Sequence, residues 1–185
     1  NLIHIPQGTH WVFNFLDFEI VFGKVDRLSL LFGYIFHIIS FIAIIYALHV
    51  KDDVQHTAGL VYAGSALGVV FAGDFLSFFV FWEMLTIASI FLIWARKTKA
   101  AQGAGYRYLL VHAAGGLCLL TGIVLSVHQT GSIEFGFIGL NGPATYFIFI
   151  GFGLNCAWPV LHPWLTDAYP EATITGTIFM SAFTT

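Results

Sequence analysis

Phe75–Ala95 reads FLSFFVFWEMLTIASIFLIWA, an apolar stretch broken by a single charge, Glu83. It is about as long as a helix needs to cross the hydrocarbon, roughly 20 residues. Working outward, no Asp, Glu, Lys or Arg interrupts Leu28–Val50, Val54–Gly73, Tyr108–Ile133 or Phe135–Thr166. Each of these runs is near or above the same length. With 58% hydrophobic residues, 9% charged residues and a mean hydropathy of +0.84, the chain is far from the charge content of a soluble domain, about 25%. The expected fold is all-α, a polytopic transmembrane helix bundle over residues 25–185. It should hold about five full spans plus the start of a sixth. Residues 1–24 form an extramembrane surface segment, because Trp11–Ile20 alternates apolar and polar positions as an extended stretch or hairpin does.

Both ends read as truncations. The chain starts at Asn1 without a Met or a signal-peptide pattern and stops at Thr185, after an apolar segment, Thr173–Thr185, too short to span. Arg96, Lys97, Lys99 and Arg107 lie between the third and fourth runs with no acid among them, which places that loop in the cytoplasm. Alternation then puts Gly73-Asp74 and Gln129–Gly142 outside and Asp167 and Glu171 inside; Lys24 and Arg27, on the outside, count against this. Gly64 and Gly68 form a GxxxG pair and Ala113–Gly116 is a small-residue patch, two places where helices can approach closely.

Several chemistries are excluded. Cys118 and Cys156 lie in apolar runs with no CxxC spacing, so neither a disulfide framework nor a metal centre is indicated, and no cofactor is expected. A net charge of -3 and the lack of a GxxxxGK loop argue against nucleic-acid or nucleotide partners. The remaining partners are lipid, protein and ions.

Glu83 follows five residues of which four are aromatic, so little around it solvates a charge. An ionised carboxylate at membrane depth costs roughly 2.5–3.5 kcal/mol on insertion scales, so it should face the bundle interior and serve as a proton-binding site. His37, His112 and His162 fall within or near spans one, four and five, and an imidazole passes protons between its two nitrogens at ordinary pH. With Glu83 they could form a polar path. For His37 alone the sequence favours a hydrogen-bonded core histidine; for His112, about one turn from Arg107 and Tyr108, the two readings weigh equally. Span five should be discontinuous. After the Gly142-Pro143 start come Gly151, Gly153, Pro159 and Pro163, in a run longer than one straight crossing. Broken membrane helices free backbone groups where a cavity or ion pathway needs them. Asn155 lies just before this break, and its amide hydrogen-bonds but does not titrate.

Three stretches resemble the antiporter-like membrane subunits shared by respiratory complex I and the multisubunit Na+/H+ antiporters. They are Val25–Phe32 (VDRLSLLF), Phe79–Met84 (FVFWEM) and His162–Ala172 (HPWLTDAYPEA). The third is similar to the family's long HxWLPDAHxEAP signature, with Thr166 where the family has Pro and Tyr169 where it often has His. The Asp26-Arg27-Leu28-Ser29 variant looks closest to the D-type antiporter subunit. The resemblance implies that Asp26, Trp164, Asp167 and Glu171 are family-motif positions. It also implies that Glu83 transfers protons and pairs with a lysine in the broken helix. That lysine's place is taken here by Asn155, close to Pro159; the resemblance puts the family's next lysine just beyond Thr185, and His112 or His162 is the other candidate substitute. It implies a multi-pass subunit in a cell (plasma or inner) membrane, the third to eighth of a longer helix series. Its function would be to translocate protons, or monovalent cations against protons, Na+ foremost, beside other membrane subunits. It would be a transporter subunit rather than an enzyme, within a complex such as a redox-driven NADH:quinone translocase. Two alternatives stand beside it: a scaffold subunit that has lost transport, for which Asn155 speaks, and a haem protein with paired membrane histidines, for which no two-histidine spacing speaks.

Overall fold

The computed structural model describes residues 5–184, so residues 1–4 of the expected surface segment and Thr185 lie outside the described residues. The surface segment is a hairpin. β1 (Gly8–Phe15) pairs antiparallel with β2 (Phe18–Val25), Phe15 opposite Phe18 and Gly8 opposite Val25. The helices follow: α1 (Arg27–Ala47), α2 (Asp53–Phe71), α3 (Phe75–Trp94), α4 (Lys99–Thr130), α5 (Pro143–Asn155), α6 (Pro163–Ala168) and α7 (Ile174–Thr184).

The four long helices start at side-chain caps. Asp26, Asp52, Asp74 and Thr98 each accept hydrogen bonds from first-turn amides, the standard way of satisfying the donors that a helix start leaves free. Asp26 and Ser29 form a reciprocal capping box: Asp26 Oδ1 accepts from Ser29 N at 2.7 Å, and Ser29 Oγ from Asp26 N at 2.8 Å. The Ser29 amide holds the Asp26 carboxyl below the usual carboxylate range.

Two expectations are corrected. The basic stretch Arg96–Arg107 is not a loop through to Arg107. Thr98 caps α4 directly after a short turn, and Ala100, Ala101 and Ala104 carry the helix on, so Lys99 and Arg107 lie in its first turns. At 32 residues, α4 is about 48 Å long, well beyond the ~30 Å hydrocarbon. In the GxxxG pair only Gly68 meets a neighbour. A Cβ there would fall 2.6 Å from Phe81 Cε1, whereas one at Gly64 would meet nothing, because Gly64 points out of the bundle.

α1 to α4 are long and apolar enough to cross a membrane. The fifth span is discontinuous, as the prolines indicate: α5 stops at Asn155 and α6 starts at Pro163. Ala157 (φ 51°) and Val160 (φ 78°) in the break take left-handed backbone, unfavourable above all for a β-branched residue. α4 and α5 pack almost backbone to backbone. A Cβ on Gly122 would lie 2.7 Å from Ala144 O and from Ile148 N, and one on Gly151 2.9 Å from Gly115 O. In lipid, where apolar surface gains little from leaving its solvent, such van der Waals contact is what joins helices.

At one end of the bundle the charges pair across elements: Lys97 Nζ with Asp52 at 2.7 Å, Arg96 with Glu171 at 3.7 Å, and Arg107 with Asp167 in a two-bond fork of 2.7 and 2.8 Å. At the other end Asp74, 1% exposed, docks the hairpin. Its carboxylate accepts from Val21 N at 2.7 Å while capping α3 through Leu76 N and Ser77 N at 2.8 Å each. Two apolar clusters fill the interior, one around Tyr62, Ile93, Tyr108 and Trp164 toward the ion-paired end, the other around Phe75, Leu119, Ile123 and Ile148 toward the hairpin end.

Candidate intramembrane proton site

Glu83 sits between these clusters because α3 presents Glu83, Thr86 and Ser89 at helical spacing on one face. Opposite, α4 offers His112, Gly115, Gly116 and Leu119, again a single stripe. The glycine pair makes the room. A Cβ on Gly116 would overlap Glu83 Oε1 and come within 3.1 Å of its Cδ, while one on Gly115 would lie 3.2 Å from Asn155 Nδ2. The carboxylate of α3 and the amide at the end of α5 thus meet adjacent residues of α4, whose Cα atoms are about 3.8 Å apart.

Glu83 Oε1 and Trp82 Nε1 are buried and find no hydrogen-bond partner; Ser65 Oγ is the third such atom among the described residues. Leaving a buried polar atom unpaired costs roughly 1–3 kcal/mol, so two in succession at mid-span ask for a function or for solvent. A cavity of about 230 Å³ adjoins Trp82, lined also by Thr86, Tyr108, His112, Asn155 and Trp164 among apolar side chains. It is large enough for several waters.

His112 is 4% exposed, one turn along α4 from the Glu83 contact. Its ring stacks on Tyr108 (3.8 Å, 21°) and meets Trp164 edge-on (4.4 Å, 81°). Nδ1 lies 3.0 Å from the Tyr108 carbonyl; a carbonyl only accepts, so Nδ1 carries the proton and Nε2 keeps its lone pair. Ser89 Oγ lies 2.6 Å from Thr86 O and 2.9 Å from the Tyr108 hydroxyl. Ser89 has one proton and the carbonyl takes it, which leaves the Tyr108 hydroxyl to donate to Ser89.

The break in α5 is held by the third motif. Trp164 Nε1 donates to Leu154 O at 2.9 Å, capping a carbonyl that the helix end leaves free, and Asn155 Nδ2 turns back to Gly151 O at 3.4 Å. Asp167 and Glu171 carry the ion pairs already described. The two hydrogen bonds from Arg107 hold the Asp167 carboxyl below its ordinary range. The structure therefore brings together Glu83, His112 and Asn155. It leaves out His162 and Pro159, both exposed at the break, and His37, exposed on α1. Asp26 is a helix cap, remote from the cavity lining.

Sequence reasoning missed Trp82, the Thr86–Ser89–Tyr108 chain, the Arg107–Asp167 fork and the docking role of Asp74. The Glu83, Thr86, Ser89 spacing was a readable signal. The other three depend on which elements lie side by side.

Residues 72–185, α3 through α7, match the family described as NADH:quinone oxidoreductase/Mrp antiporter, TM. NADH-quinone oxidoreductase subunit M of Escherichia coli is 30% identical over 175 residues, 83% of this chain and 34% of that protein. One Na(+)/H(+) antiporter subunit of Alkalihalophilus pseudofirmus is 28% identical over 176 residues, 85% of this chain and 22% of that protein. The chain thus spans between about a fifth and a third of the length of these relatives. A chain in the structure of the membrane-bound sulfane sulfur reductase, an archaeal respiratory membrane complex, superimposes with a TM-score of 0.79 at 24% identity. The match covers 93% of this chain and 30% of that one and concerns the fold alone.

Proposed function

Because the chain belongs to the NADH:quinone oxidoreductase/Mrp antiporter transmembrane family, we propose that it is a proton-translocating or monovalent cation/proton-translocating part of a multisubunit complex in the cell membrane. The observation that carries this reading is Glu83, a lone carboxylate at mid-span with a buried, unpartnered oxygen, next in sequence to Trp82, which lines a cavity shared with His112 and Asn155.

Glu83 takes and releases the proton. Water in the cavity bridges it to the His112 Nε2 lone pair, and the Ser89–Tyr108 hydroxyls lead from the carboxylate's face of α3 toward the ion-paired end. Asn155 holds a dipole near the carboxylate without titrating. Pro159 and the left-handed Val160 keep the break open beside the site, and His162 lies at the exposed start of α6, where it exchanges protons with solvent or a neighbouring element.

The test is proton flux, with and without a Na+ gradient, in vesicles carrying the full-length parent and its assembly partners, comparing Glu83 with Glu83→Gln. Collapse of flux supports the reading; equal flux in both removes Glu83 from the path. A second reading, a scaffold subunit that does not transport, is favoured by Asn155 at the place of the family lysine. It predicts an assembled complex whose flux is indifferent to both Glu83→Gln and His112→Leu.

A further inference from the structure

Glu83 and the cavity are neighbours without a shared wall. The lining holds Trp82 and Thr86, on either side of Glu83 along α3, but not Glu83, whose carboxylate lies against Gly116 of α4. A proton exchanged between that carboxylate and water in the cavity needs a group that reaches both.

Thr86 is 2% exposed and lines the cavity. A hydroxyl inside a helix often turns back onto a carbonyl three or four residues earlier. Ser40 Oγ and Thr121 Oγ1 do so, at 2.6 Å from Phe36 O and 2.7 Å from Leu117 O, and Ser89 Oγ donates to Thr86 O at 2.6 Å. The Thr86 hydroxyl makes no such bond, and no other, among the described residues. Its neighbours in the wall are one-sided or committed. Trp82 Nε1 only donates, the Asn155 amide neither takes nor releases a proton, and the Tyr108 hydroxyl donates to Ser89 at 2.9 Å. A hydroxyl accepts on a lone pair while it donates its hydrogen, so Thr86 is the one α3 group of the wall through which a proton passes. Glu83 and Thr86 share a helix face, with Cβ atoms about 5–6 Å apart. Rotation of the Glu83 side chain about its own bonds closes that gap to an O–H···O contact of about 2.7–2.8 Å.

Taking Glu83 as the proton site proposed above, we propose that the Thr86 hydroxyl is the relay that carries protons between the Glu83 carboxylate and the cavity. In the inward step the Thr86 O–H bond breaks as its proton joins the carboxylate, and protonated cavity water closes a new O–H bond on Oγ1. The hydroxyl is regenerated, the water is left neutral and one proton has moved. Release from Glu83 runs the same bonds in reverse.

The experiment measures proton flux in vesicles of the complete complex, and melting temperature in detergent, for wild type, Thr86→Val, Thr86→Ser and Glu83→Gln. Val keeps the branched shape and removes only a hydroxyl that has no bond within the chain to lose, so Thr86→Val should melt no lower than wild type. Its flux should fall at least tenfold, toward the roughly 100-fold that a positioned proton-transfer group contributes at the low end. Thr86→Ser, which restores the hydroxyl, should recover most of it. A smaller loss in Thr86→Val, or a loss that Thr86→Ser shares, would overturn the relay; with flux still abolished in Glu83→Gln, the proton site would stand without it. A lower melting temperature in Thr86→Val would also overturn the relay, since the hydroxyl would then serve the fold. Flux indifferent to Glu83→Gln would remove the site and the relay together.

Discussion

Replacing Gly116 by Ala separates the geometry of the site from its stability. The added methyl would overlap Glu83 Oε1 and sit 3.1 Å from Cδ and 3.5 Å from Oε2. To regain ordinary van der Waals separation the carboxylate has to move by about 1 Å. The moving group is the end of a flexible side chain, and Ala is the better helix former by about 1 kcal/mol. The fold should therefore tolerate the change within about 1 kcal/mol. Proton transfer should not, since a displacement of about 1 Å at a reacting group costs up to ~100-fold. Gly122→Ala is the matched control. There the methyl meets backbone, 2.7 Å from Ala144 O and Ile148 N, so α4 and α5 must separate at a cost of about 1–3 kcal/mol. The assay pairs thermal melting in detergent with proton flux in vesicles of the complete complex. Gly116→Ala should melt like wild type and lose at least tenfold in flux, while Gly122→Ala should lose melting temperature first. Wild-type flux in Gly116→Ala would refute the assignment of the α3–α4 contact as the proton site.

Asp74→Ala removes three hydrogen bonds at once, two to the start of α3 and one to β2. It should lower stability by about 2–4 kcal/mol and make residues 8–25 cleavable by protease from the hairpin side; an intact hairpin would show that the strands hold without it. The Arg107–Asp167 fork should depend on pH with a definite sign. Because the folded Asp167 carboxyl is held low, its contribution is complete above the ordinary Asp value near ~3.9 and is lost only as pH falls through the lowered value. The protection of α6 amides, corrected for intrinsic exchange, should thus be flat from neutral to mildly acid pH and fall below the ordinary carboxylate range. Asp167→Asn should show the lower protection at neutral pH and converge with wild type at low pH. Trp164→Phe keeps the ring but loses the bond to Leu154 O, and a destabilisation of about 1 kcal/mol with faster exchange near Asn155 is expected.

Much of the architecture was legible in the chain itself. Uncharged runs of membrane length located α1 to α3 within a few residues, and α4 apart from its first nine residues, because in lipid a backbone must satisfy its own hydrogen bonds and a long apolar segment has the helix available to it. The prolines and glycines of 142–163 marked the break in α5 for the same reason: Pro159 and Pro163 remove donors that a continuous helix would use. Glu83 stood out because a carboxylate is expensive at that depth.

Other features came only with the third dimension. That Asn155 and Glu83 approach adjacent glycines of α4, that Trp164 reaches Leu154, and that Asp74 ties the hairpin to α3 are contacts between elements distant in sequence, and no local pattern encodes which helix faces which. The sequence favoured a core histidine at His37 and left His112 undecided, and the structure reverses the first, with His37 exposed and His112 buried. Only packing turns His112 into the bundle beside Tyr108 and Trp164 and leaves His37 on the surface of α1.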